Sequence, residues 1–131
     1  KDSRAATVIT PQVVQDFAHY GVAVVDEAVP LEGEVGSRKL LSELTEWGKE
    51  RLQPTFQMQA RQDVVGWLSP QDASESGVAT TAAMELLRGV AYELNEALNL
   101  DLAVPQQCMC ACYGASRLIF VVQRSTFPEF K

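Results

Sequence analysis

The chain is 131 residues long, 47% hydrophobic and 21% charged, and its 11 basic and 17 acidic side chains leave a formal charge of −6. That length suffices for the core of one domain, and the composition lies far from that of a disordered chain. A net-negative chain with no Lys/Arg cluster is not built to bind nucleic acid or an anionic membrane, and its longest apolar run, Leu118–Val122, is far too short to cross a bilayer.

The opening Lys1-Asp2-Ser3-Arg4 is neither an initiator methionine nor a signal peptide and reads as part of a longer or processed chain. Thr10-Pro11 predicts a helix start: the hydroxyl caps, and the proline gives up an N–H that has no partner there. Val13, Val14, Phe17 and Tyr20 recur on one face, and Gly21 predicts a left-handed stop. Val22–Val25, β-branched and short, predicts a buried strand closed by Asp26. A second helix is expected from Leu31 to about Leu52. Its apolar stripe would be Leu40, Leu41, Leu44 and Trp47, with Glu43, Glu46, Lys49 and Glu50 off it.

Beyond this the period changes. Thr55–Ala60 and Asp63–Leu68 read as an antiparallel strand pair ended by Ser69-Pro70, and Gln71–Gly77 as a polar surface loop. A third helix is expected from Thr80 to about Asn99, with Met84, Leu87, Ala91, Leu94 and Leu98 at helical spacing. Gln106–Tyr113 alternates as a strand, Gly114-Ala115-Ser116 predicts a turn, and Leu118–Val122 predicts a further strand. Helices come first and strands gather toward the end, which makes a single α+β unit.

On the strand Gln106–Tyr113, alternation puts Cys108, Cys110 and Cys112 on one face and Met109, Ala111 and Tyr113 on the other. Three cysteines this close form a poor disulfide framework, so a reducing compartment, cytoplasm or nucleus, is expected. Three sulfurs in a row do not wrap a tetrahedral ion either, and buried small apolar side chains are the simpler reading. His19 is the sole histidine in the sequence.

Three stretches, Gly21-Val22-Ala23-Val24-Val25-Asp26, then Arg61-Gln62-Asp63 with Trp67, then Met109-Cys110-Ala111-Cys112-Tyr113, stand in a familiar order with helices of suitable length between them. Over most of positions 11–113 the chain resembles the prolyl-4-hydroxylase family of iron(II) and 2-oxoglutarate oxygenases. The resemblance implies a double-stranded β-helix, a jelly-roll-like barrel with helices packed on one side. It implies a two-histidine, one-carboxylate iron site, 2-oxoglutarate as co-substrate, ascorbate as reductant, and a proline-containing protein or peptide as substrate. It places Met109, Tyr113, Val65 and Trp67 at the 2-oxoglutarate pocket, where the Tyr113 phenol could donate to a carboxylate. Arg61 and Asp63 fall where the substrate-facing loop begins. Without the resemblance, Met109, Tyr113 and Trp67 would read as core and Arg61 and Asp63 as an exposed pair.

Past Tyr113 the pattern departs from the family. A Pro-Gly-rich turn and, about ten positions after the tyrosine, a His-x-Asp pair are implied, but Gly114 stands for the proline and Gln123 and Ser125 occupy the nearest ligand positions. Neither side chain is a workable iron ligand. The expectation is therefore residues 1–113 as the helix-supported N-terminal part of a truncated oxygenase domain, with 114–131 a divergent tail. No catalytic and no metal-ligating residue is assigned, and neither iron, 2-oxoglutarate nor ascorbate is expected to be bound. A non-catalytic protein-binding or regulatory module and an unrelated α+β domain are the alternatives. With barrel partners missing, Asp63–Leu68 and Gln106–Tyr113 would have unpaired edges, through which self-association is expected.

Overall fold

The computed structural model describes residues 3–54, 63–113 and 117–121, and of Ser3, Asp63, Tyr113 and residues 117–121 the backbone alone. Within them the chain runs α1 (Ser3–Val8), α2 (Pro11–Tyr20), α3 (Ser37–Arg51), β1 (Gln53–Pro54), β2 (Asp63–Leu68), α4 (Pro70–Ser76), α5 (Val78–Leu98), β3 (Cys108–Tyr113) and β4 (Arg117–Val121). The fold is mixed α+β. Of the expected strand pair, Asp63–Leu68 is β2, whereas Thr55–Ala60 and the expected turn Gly114-Ala115-Ser116 lie outside the described residues.

Local chemistry fixes most helix ends. The Thr10 hydroxyl accepts from the Val13 N–H at 3.3 Å, and Gly21, at φ 77°, closes α2 in the left-handed region that glycine enters without cost. Asn99 closes α5 at φ 52°, a conformation asparagine tolerates. The Asn95 side chain then holds the exit of the helix, donating to the Leu102 carbonyl and accepting from its N–H, both at 2.8 Å.

The structure corrects several expectations. Val22–Val25 is irregular, with Val24 81% exposed, because no described strand lies beside it to take its backbone hydrogen bonds. Helix α3 begins at Ser37 rather than Leu31. The segment before it folds into turns, and the N–H groups of Ser37 and Arg38 donate to the Pro30 and Leu31 carbonyls. Leu41 leaves the stripe and is exposed, whereas Glu43 is buried. Gln71–Gly77 is helix α4 through Ser76, not a loop. It is held by a capping box in which the Ser69 hydroxyl accepts from the Asp72 N–H (3.1 Å) and the Asp72 carboxylate accepts from the Ser69 N–H (3.0 Å).

The four strands form one antiparallel sheet in the order β1-β2-β3-β4. Strand β3 is paired on both edges, so the open edges expected for it are filled. Its second partner, β4, lies within the stretch read as a divergent tail. Helices α3 and α4 pack against β2, and α5 is the common neighbour of α1, α2, α3 and α4. The core is Leu44, Leu68, Ala73, Met84, Cys108 and Cys110, with Leu40, Trp47 and Leu87 packed against it. Leu44 and Leu68 are almost wholly removed from water, a burial that stabilises by about 2 kcal/mol each relative to leaving them exposed. At Gly66 a side chain would strike the Arg51 carbonyl and the Trp47 ring at 2.9 Å; its absence lets the last turn of α3 lie against β2. No helix among the described residues is long and apolar enough to cross a membrane.

Candidate functional site

Register decides what the sheet presents on each face, because directly opposed residues of an antiparallel pair point to the same side. Leu68 opposes Cys108 and Gly66 opposes Cys110, and these belong to the face that packs on the helices. The opposite, outer face carries Val65 opposed to Ala111 and Trp67 opposed to Met109. One further row of the ladder holds Asp63, Tyr113 and Arg117 in register.

Three of the four residues assigned to the pocket, Val65, Trp67 and Met109, are thus neighbours on one side of the sheet. Trp67 is 44% exposed, Val65 and Met109 are half-buried, and Ala111, the shortest of the set, is fully buried. Tyr113 and Asp63 are in register with them by backbone, and Arg61 lies outside the described residues. Sequence reasoning did not include Arg117, which the pairing of β3 with β4 brings opposite Tyr113. The expected turn at Gly114-Ala115-Ser116, which lies outside the described residues, carried that signal, since loop length between two strands constrains which residues oppose each other.

The other face is chemically quiet. Cys108 and Cys110 are fully buried free thiols. Burial pushes the Cys108 thiol up from an ordinary 9.0 to about 11, an effect that Arg88 partly opposes, and burial with the neighbouring Cys112 and Cys108 pushes Cys110 up to about 12. A thiol held protonated is a poor nucleophile and a poor metal ligand.

Comparison with models of protein families, with curated proteins and with solved structures finds no match to this chain. The candidate site therefore rests on its own geometry: an apolar outer face centred on a partly exposed indole beside a thioether. Such a surface suits a ligand that offers apolar area and a few hydrogen-bonding groups. The family's metal does not fit the residues present. Two histidines are needed and the sequence has one. His19 lies on α2, which packs on α5, and its ring sits edge-on to Tyr20. Among the described residues no group of three His, Cys, Asp or Glu side chains could hold an ion.

Proposed function

We propose that the chain is the helix-backed part of a prolyl-4-hydroxylase-like oxygenase fold, and that its outer sheet face engages a proline-containing peptide without turning over 2-oxoglutarate. The observation that carries the reading is the pairing of Trp67 with Met109 beside Val65 and Ala111. Residues picked from two separate stretches of sequence fall on one side of the sheet, away from the helices. Prolyl segments dock on exposed aromatic surfaces because the ring is preorganised and loses little entropy on contact. Trp67, half out of the sheet, offers such a surface.

Iron would supply the oxidising chemistry in a complete member of the family, but this chain provides no ligand set for it, so binding and not hydroxylation is its own activity. Incubation with iron(II), ascorbate, 2-oxoglutarate and a proline-containing peptide should give no succinate above a no-protein control. Succinate that disappears on adding a chelator would contradict the reading. The same peptide should shift the indole emission of the chain, and Trp67→Ala should abolish the shift while the variant still melts cooperatively, at a lower temperature because the cross-strand contact with Met109 is lost. An unchanged shift in that variant would move the binding surface elsewhere.

A further inference from the structure

Every sheet has two outer edges, and this one treats them differently. On the β1 side, Pro54 removes a backbone donor. A proline is a standard protection of an edge. On the other side, β4 pairs with β3 through Arg117–Val121, and its outer edge pairs with nothing among the described residues. Past Arg117, Leu118-Ile119-Phe120-Val121 contains no charge, proline or glycine, so over this stretch the strand carries none of those protections in its own sequence.

We infer that the outer edge of β4 pairs antiparallel with β4 of a second copy, across a two-fold axis at Ile119, giving a dimer with one continuous eight-stranded sheet. The strand is self-complementary in this arrangement. Ile119 meets Ile119, Leu118 meets Phe120, and Arg117 meets Val121. The two arginines fall at opposite ends and no like charges are opposed, whereas a parallel pairing would set them side by side. Leu118 and Phe120 are in register with Cys112 and Cys110, so the ladder rows that run through those cysteines continue into the partner. A two-fold contact uses both β4 edges and leaves the two β1 edges, so assembly closes at two and does not run on as a filament.

The test uses the whole chain. Sedimentation equilibrium across micromolar to hundreds of micromolar concentration should show a monomer–dimer equilibrium. Amide exchange at Arg117–Val121 should slow as concentration rises, while exchange in α1 stays constant. Ile119→Lys and Ile119→Glu should each raise the dimer dissociation constant roughly fivefold or more, because like charges then meet at the axis, and an equimolar mixture of the two should recover dimer. A chain monomeric throughout, growth past the dimer, concentration-independent exchange in β4, or a mixture of folded variants that stays monomeric would each overturn the inference.

Discussion

Glu43 shows how much one side chain can organise. Helical periodicity places it among solvated neighbours, yet it is 9% exposed and reaches across to the start of α5. There its carboxylate accepts from the Ala79 N–H (3.3 Å), the Thr80 N–H (2.8 Å) and the Thr80 hydroxyl (2.8 Å). The first turn of α5 has no cap of its own, and Gly77, at φ 145°, leaves room for the incoming carboxylate. A negative charge at a helix N-terminus is also favoured by the backbone dipole. Glu43→Ala should therefore cost about 2–3 kcal/mol in urea unfolding, since buried donors lose a charged acceptor. A Cβ at position 77 would lie 2.4 Å from the Glu43 carboxyl carbon, so Gly77→Ala should also destabilise. Its cost should shrink in the Glu43→Ala background, leaving only the backbone strain. Equal costs in both backgrounds would rule out the contact.

The buried thiols make a second prediction at this scale. Unfolded, Cys108 and Cys110 ionise near the ordinary 9.0; folded, they stay protonated until about 11 and about 12. Their contribution to stability is intact below about pH 9 and is lost as pH rises through the folded values. The urea midpoint should fall above pH 9, and fall less steeply in Cys110→Ala. At pH 8 a thiol reagent should reach half-buried Cys112 before the other two.

At the scale of elements, the signals with a specific mechanism were legible and those resting on composition were not. Thr10-Pro11 and Gly21 gave the ends of α2, and alternation gave both faces of β3. Val22–Val25 has the composition of a strand, but a strand exists only where a neighbour takes its hydrogen bonds. The α4 segment reads as a loop because Gln71, Asp72, Ser74, Glu75 and Ser76 are polar, although Ser69-Pro70-Gln71-Asp72 spells a capping box. Ser69→Ala should lower stability by about 1 kcal/mol. At acid pH the effect joins that of Asp72, whose carboxyl is held below its ordinary 3.8 chiefly by the Ser69 N–H. That contribution is present above pH 3.8 and lost as pH falls through the lowered value. A Ser69→Ala chain keeps that N–H bond and loses only the hydroxyl's smaller share of the lowering, so it should lose slightly less stability between pH 5 and pH 2 than the parent. Glu43 could not have been placed by periodicity, because its partners lie 36 and 37 residues away in a helix start that carries no sequence cap.

At the scale of the molecule, the described helices back one sheet face, and the proposed peptide surface is the other. The sequence named Val65, Trp67 and Met109 singly; only the register of β2 against β3 makes them neighbours, and register is set by long-range packing of the cysteine face on α3–α5. The most direct test is amide-shift mapping of the labelled chain during titration with a proline-containing peptide. Shifts are expected at Val65, Trp67 and Met109 and along their strands, with the helix-face residues Leu44 and Met84 unmoved. Shifts confined to the helices, or none up to millimolar peptide, would contradict the assignment of the outer sheet face as the binding surface.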